Sequence, residues 1–200
     1  VTRAEFVRQN GQVNDRDQLV ALVDRAGRSD PEAWEALYRR AYPGLMAYAS
    51  RRLDADRARD AVAETMARAV ARISRFEWRA GSSFDAWLYG ILRHVVIDAH
   101  RARSREAGRR NAIEASRAGP LDHVLAGEEA RAVRAAFERL GEEDREVLEL
   151  RVVAGLSAEE VGKVLKKRAG AVRMAQSRAL ERLRCELERG GSQEQEESGR

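Results

Sequence analysis

The sequence predicts an all-α protein made of two small helical domains, an N-terminal helical bundle and a C-terminal four-helix domain with a helix-turn-helix, joined by a flexible linker. Three observations carry that reading. The 200 residues include 15 glycines but only 3 prolines, so long helices can run unbroken. Ala, Arg, Leu and Glu, all favourable in helices, dominate the patterned stretches. Apolar residues recur at three- and four-residue spacing in two blocks, with an unpatterned arginine- and glycine-containing stretch between them. At 44% hydrophobic and 35% charged residues the chain is polar, yet it holds enough apolar side chains for compact helical cores.

Taken in order, residues 1–16 are polar and unpatterned and read as a mobile arm. A short helix is predicted from Asp17 to Ala26 on Leu19, Val20, Leu22 and Val23. Ser29-Asp30-Pro31-Glu32 reads as a helix start, a capping side chain ahead of a proline at the first helical position. Trp34, Leu37, Tyr38, Ala41, Tyr42 and Leu45 then form one stripe, within which Pro43 is expected to kink or restart the helix. Asp54 or Asp56 opens the next helix, whose stripe is Ala58, Ala61, Val62, Thr65, Met66, Ala69, Val70 and Ile73. The connection Phe76–Ser83 keeps two aromatics, and Ser83 caps a helix with its stripe on Phe84, Trp87, Leu88, Ile91, Leu92, Val95, Val96 and Ala99. Matched stripes on three helices make a bundle over 17–103. The linker is placed at 104–127, with Gly108, Gly119, Pro120 and Gly127 among arginines. The second domain, 128–187, comprises helices near Glu128–Leu140 and Glu142–Val153, a third opened by the capping box Ser157-Ala158-Glu159-Glu160, and a last from about Ala169 to Leu187. Residues 188–200 have the composition of a disordered tail.

The net charge of +4 is unevenly spread. Residues 101–117 hold six arginines against two glutamates, a local +4. Residues 166–184 hold two lysines and five arginines against one glutamate, a local +6. Two basic clusters on an otherwise balanced chain point to two contacts with a polyanion, and by charge alone they also suit two solvated faces. Cys185 is the single cysteine, which excludes an internal disulfide, and His94, His100 and His123 have no metal-site spacing, so no metal or cofactor is expected. No apolar run approaches the ~20 residues that span a bilayer, and the N-terminus lacks a signal-peptide pattern. A soluble, cytoplasmic protein without membrane insertion is expected.

The chemistry concentrates at the C-terminal helix pair. A short helix, a tight turn and a longer basic helix make a helix-turn-helix, in which the second helix enters the major groove. Projected at about 100° per residue, Val172, Ala175, Gln176, Ala179, Leu180, Leu183 and Leu187 gather on the packed side of the last helix. Arg173, Met174, Ser177, Arg178 and Glu181 gather opposite. Arg173 is placed for a bidentate contact to guanine and Arg178 for phosphate, while Gln176, a tempting adenine reader, projects inward. Lys166, Lys167 and Arg168 lie where backbone phosphates pass the turn.

With these residues in hand, Leu140 to Arg184 resembles region 4 of extracytoplasmic-function sigma factors of the sigma-70 family. The matches are Arg145-Glu146-Val147, Leu150, Gly155-Leu156-Ser157, Glu160-Val161, Leu165, Gly170, Val172 and Arg178-Ala179. Upstream, the acidic helix over 57–70 followed by Ala86-Trp87-Leu88 and Ile97-Asp98-Ala99-His100-Arg101 is similar to region 2. The resemblance spans roughly 17–187. It implies that region 2 binds the clamp helices of the largest subunit of core RNA polymerase through Asp60 and Glu64, which share a face at i and i+4. It implies that Trp78, Arg93, His94, Asp98 and Arg101 read the −10 element of promoter DNA. Region 4 would meet the flap of the second-largest subunit and read the −35 element through Lys166, Lys167, Arg168, Arg173, Met174, Ser177 and Arg178, and an anti-sigma factor is a further expected partner. Trp78 either stacks on an unstacked base or closes the bundle core; Phe84 and Trp87 fall on the buried stripe. The sequence departs from the family at Ala63, where glutamine is usual, at His94 for asparagine, and at Gly141 for proline. Arg168 and Gly170-Ala171-Val172 stand where the family has a serine cap and Gly-Thr-Val.

Two other classes fit the sequence less well. A stand-alone operator-binding regulator needs a sensor or dimerisation domain, and the N-terminal half shows neither a ligand-pocket nor a coiled-coil pattern. An enzyme needs clustered carboxylates or a nucleophile beside a base. Asp85 and Asp98 lie 13 residues apart on one helix, nearly four turns, and Ser82-Ser83 has no nearby base, so no catalytic residue is expected.

Overall fold

A computed structural model of the chain describes residues 16–78, 83–107 and 128–197; the expected arm and nearly all of the expected linker lie outside them. Among the described residues every regular element is helical. The first helix, α1, covers 16–27. It is followed by α2 (Pro31–Ser50), α3 (Ala55–Arg72) with a closing 3-10 turn (Ile73–Arg75), and α4 (Phe84–Ala107). The C-terminal half holds α5 (Glu128–Arg139), α6 (Glu142–Leu148) running into a π-turn (Glu149–Val153), α7 (Ala158–Leu165) and α8 (Ala169–Glu197).

Local chemistry explains where these helices begin. Asp30 accepts from the amides of Glu32 (3.0 Å) and Ala33 (3.3 Å), with Pro31 as the first helical residue of α2. Of the two aspartates proposed to open α3, Asp54 does so, accepting from the Arg57 amide at 3.0 Å. Ser83 accepts from the Ala86 amide at 3.2 Å ahead of α4. Each such cap is worth about 1 kcal/mol. Pro43 does not restart α2, which runs through it unbroken. Its ring lies on an exposed face, while Leu37, Leu45 and Tyr48 bury the turns on either side, so packing offsets the missing backbone bond.

Two boundaries differ from expectation. The fourth helix continues to Ala107, four residues into the stretch assigned to the linker. The last helix continues to Glu197, through most of the stretch expected to be a disordered tail. Extending a formed helix through Gln- and Glu-rich sequence is far less demanding than nucleating one there.

In the N-terminal half Leu37, Leu45, Val62, Phe84, Leu88 and Leu92 are almost wholly buried. Phe76 joins Trp78, Phe84 and Trp87 in an aromatic cluster with centroid separations of 5.0, 5.8 and 5.2 Å, which closes the bundle at the Phe76–Ser83 connection. In the C-terminal half Val147, Leu150, Val161 and Val172 are buried, and Leu140, Leu148 and Ala179 form a smaller cluster under α8. The main core does not stop at the boundary between halves: one contiguous apolar cluster includes residues from both, and α7 packs directly against α4. No helix of the described residues is long and apolar enough to cross a membrane.

Candidate nucleic-acid interface

The helix-turn-helix is set by three local devices. Ser157 accepts from the Glu160 amide (3.2 Å) while Glu160 accepts from the Ser157 amide (2.7 Å), so α7 opens with a complete capping box. Burial works against the Glu160 carboxylate, but hydrogen bonds from Ser83 and Ser157 outweigh it and hold its pKa below the usual carboxylate value. The helix ends at Lys166 in the left-handed conformation (φ 56°), and the Lys167 amide returns to the Gly162 carbonyl at 2.8 Å. Gly162 is buried here, and a Cβ added to it would lie 2.6 Å from the Lys167 carbonyl oxygen. Only glycine lets the turn close this tightly. The α8 helix then starts at Ala169, with Val172 and Ala179 fully buried.

On the outer face of α8, Arg173, Met174, Ser177 and Arg178 are all exposed, Met174 by 64%. Arg173 Nη1 pairs with Glu159 Oε1 at 2.9 Å, which ties the recognition face back to α7. A backbone hydrogen bond and the Arg173 guanidinium together hold the Glu159 pKa below its usual value. At the turn Lys167 pairs with Glu143 at 3.3 Å. Lys166, Arg168 and Arg178 are exposed and make no ion pair among the described residues. Gln176 sits on the inner side, accepting from Arg151 Nε at 2.8 Å, and Arg151 also donates to the Leu156 carbonyl. Arg151 is therefore a positioning residue, strapping the recognition helix to the loop before α7. Nothing in the local sequence marks it, because the partner on the recognition helix, Gln176, lies 25 residues on.

In the N-terminal half Asp60 and Glu64 are exposed on α3, with Glu64 bonded to Arg68 one turn on at 2.7 Å. Ala63 lies exposed beside them. Trp78 is half-buried edge-to-face against Phe76, and its indole N–H is buried with no acceptor among the described residues. Arg93 is half-buried and donates from Nε to Glu146 Oε1 at 3.0 Å. The exposed His94 donates from Nδ1 to the Gly90 carbonyl at 2.7 Å. Asp98 and Arg101 are exposed and 3.9 Å apart. His94 and Asp98 also line a groove of about 510 Å³ between α3, α4 and α7, whose rim carries Arg68, Arg72 and Lys163.

A constellation that sequence reasoning missed joins the two halves. Arg52 donates to Glu149 at 2.7 Å, and Arg51 reaches the other oxygen of the same carboxylate at 3.0 Å. Arg52 also lies 3.3 Å from Glu142 and 3.8 Å over the Tyr48 ring. Tyr48 donates its hydroxyl to Glu146 at 2.6 Å, the same oxygen that accepts from Arg93. The side chains of Arg52 and Glu149 are only 8% and 6% exposed. Burial pushes the Glu149 pKa up against the pull of Arg52 and Arg51, and it pushes the Tyr48 hydroxyl up as well.

An N-terminal bundle with an exposed acid pair, followed by a helical domain ending in a capped helix, a left-handed turn and a basic helix, defines a two-part helix-turn-helix protein. Known proteins share this architecture. Residues 37–106 match the family model for Sigma-70 region 2, and residues 136–184 match that for Sigma-70, region 4. The ECF RNA polymerase sigma factor SigD of Mycobacterium tuberculosis is 35% identical over 191 residues, covering 88% of this chain and 86% of SigD. The ECF RNA polymerase sigma factor ShbA of Streptomyces griseus is 34% identical over 179 residues, covering 82% of this chain and 93% of ShbA. Among solved structures, the sigma factor RpoE in complex with the anti-sigma factor NepR from Bartonella quintana matches with a TM-score of 0.65 at 28% identity, covering 77% of this chain and 96% of RpoE. CnrH, in complex with the cytosolic domain of CnrY, shares the fold at a TM-score of 0.58 and 23% identity, covering 84% of this chain and 96% of CnrH. The chain belongs to the extracytoplasmic-function family of RNA polymerase sigma factors.

Proposed function

We propose that this protein binds core RNA polymerase and directs it to promoters by reading −10 and −35 elements, acting in the cytoplasm by binding and not by catalysis. The observation that carries the −35 part is the outer face of α8. Arg173, Met174, Ser177 and Arg178 stand exposed on a helix held at a fixed angle by the capped α7 and the closed turn at Lys166. Lys166, Lys167 and Arg168 supply positive charge where the phosphates pass. In the N-terminal half, Asp60 and Glu64 offer an exposed acidic face to the clamp helices of the largest subunit, and the flap of the second-largest subunit takes the C-terminal half. The −10 element falls to Trp78, Arg93, His94, Asp98 and Arg101, with the indole at the edge of the aromatic cluster offering a stacking surface.

The corresponding domains are 17–103 and 128–187, with α4 extending the first to 107. One relative of known structure, RpoE, was solved in complex with the anti-sigma factor NepR, and we assign a partner of that class to this chain. The direct test mixes purified protein with sigma-free core polymerase and a promoter library. Stable association with core and selected start sites are expected; absence of both would show that the chain has lost sigma activity.

A further inference from the structure

One side chain on the outer face of α8 differs in chemistry from all its neighbours. Val172 is fully buried and marks the side of the helix turned to its own domain. At about 100° per residue, Arg173 and Arg178 fall about 100° and 240° round from Val172, on the two flanks. Met174 falls about 200° round, at the pole facing away from the domain. Its exposure agrees: at 64% Met174 is the most exposed large apolar side chain among the described residues. The exposed residues around it, Arg173, Ser177, Arg178 and Glu181, are all polar or charged. The pole is also held in place. Val172 in the core and Gln176 bonded to Arg151 at 2.8 Å set the rotation of α8 about its axis, and Glu159 holds Arg173 on one flank.

We propose that Met174 determines specificity in the −35 contact by packing its side chain on the C5 methyl of a thymine, in a base pair next to the guanine that Arg173 reads. The inference rests on the sigma reading and deepens it, because it names a base that the −35 element must contain. Chemistry narrows the choice. A thioether carries no donor and its sulfur is only a weak acceptor, so Met174 has nothing to offer a phosphate. Of the groups that base pairs present in the major groove, the thymine methyl is the apolar one. Met174 lies in the second turn of α8, which begins at Ala169, and the N-terminal residues of such a helix are the ones that meet base edges. Its unbranched, flexible arm adapts to a small apolar target. Consecutive Cα atoms lie about 3.8 Å apart, close to the ~3.4 Å between base pairs, which places the thymine one step from the guanine of Arg173. Burying one methyl strengthens binding about fourfold, or about 0.8 kcal/mol. The contact neutralises no phosphate, so its contribution does not change with salt.

The test uses the full chain assembled with core polymerase, and a −35 element that this assembly selects from a randomised duplex library. Each thymine of the element is then replaced in turn by deoxyuridine, which keeps the base pairing and lacks only the C5 methyl. With the native chain, one replacement should weaken promoter binding about fourfold, by the same factor at two salt concentrations. That thymine should lie one base pair from the guanine at which Arg173→Ala loses its selectivity. With Met174→Ala, thymine and deoxyuridine should bind alike at that position. Met174 is exposed and alanine is the most favourable residue in a helix, so the melting temperature should not fall. The native chain with the two duplexes decides the matter even without the variant. An element with no methyl-sensitive thymine beside that guanine would overturn the proposal, as would a Met174→Ala chain that discriminates as the native one does. An assembly that selects no element at all would overturn the sigma reading and the thymine contact together. Selection without a methyl effect sinks the thymine contact and leaves the sigma reading standing.

Discussion

Arg173 and Glu159 show how the proposed recognition surface is occupied before its ligand arrives. The pair is exposed and joined at 2.9 Å, so solvent screens it and it exchanges readily for a stronger acceptor. Arg173→Ala should remove a bidentate base contact and lower use of the −35 element by about 1–3 kcal/mol at one base pair. Lys167→Ala should instead weaken all sequences evenly and reduce the salt slope by roughly one. Transcription in vitro from single-base −35 variants at two salt concentrations separates the two, and a uniform loss for Arg173→Ala would reassign it to phosphate. In the other half, Asp60→Arg with Glu64→Arg reverses charge on an exposed face. Copurification with core should be lost while the thermal midpoint stays within a few degrees, since exposed substitutions of this kind change stability by about 0.5 kcal/mol. The placement of Gln176 was legible from helical projection, and Arg151 accounts for it physically: its Nε donates to Gln176 Oε1 and holds the amide on the inner side.

At the scale of elements, α7 and its turn depend on one missing Cβ. Gly162→Ala would press a methyl to 2.6 Å from a backbone carbonyl, a contact that no side-chain rotation relieves. Overpacking of this kind costs about 1–3 kcal/mol. We expect a lower melting temperature and a disproportionate loss of −35-dependent transcription. Gly90→Ala should go the other way, since nothing lies within 4 Å of a Cβ there and the position is inside α4. It should stabilise by roughly 0.5–1 kcal/mol. Thermal melts of the pair, differing in sign, test the assignment of strain to the turn and not to glycine loss in general. The same turn was legible only as a position in sequence. Composition placed Lys166–Arg168 between helices, but the left-handed φ of Lys166 and the close approach at Gly162 follow from packing α7 against α8.

For the whole molecule, the distribution of charge matters more than the net +4. The proposed −35 face carries several cations, some already paired with Glu143 and Glu159, and Arg93 of the proposed −10 face is held by Glu146. Few phosphates can be neutralised by the free chain in this arrangement, and counterion release scales with that number. The isolated protein should therefore bind promoter duplex weakly, and become tight and sequence-specific only together with core polymerase. Fluorescence anisotropy at physiological salt, with and without core, measures this. Nanomolar binding by the free protein would contradict it.

What the sequence determined by itself was everything governed by near neighbours. Asp30, Asp54, Ser83 and Ser157 act on amides two or three residues away, and most of the buried stripes of α2, α3, α4 and α8 follow from a helical repeat written in consecutive residues, although Tyr38, Val70 and Leu180, expected on those stripes, stand exposed at their edges. The motifs around Ala86-Trp87-Leu88 and Gly155-Leu156-Ser157 carry the family for the same reason. The tertiary structure alone decided how the halves meet. No local pattern in the sequence pairs Glu142, Glu146 and Glu149 with Arg51, Arg52 or Arg93. Glu149 and Arg52 are 97 residues apart, and only the approach of the π-turn to the residues just past α2 withdraws both from water together. Burial, and with it the meaning of a charge, is set by what the fold brings across such a distance, which no local pattern of residues encodes.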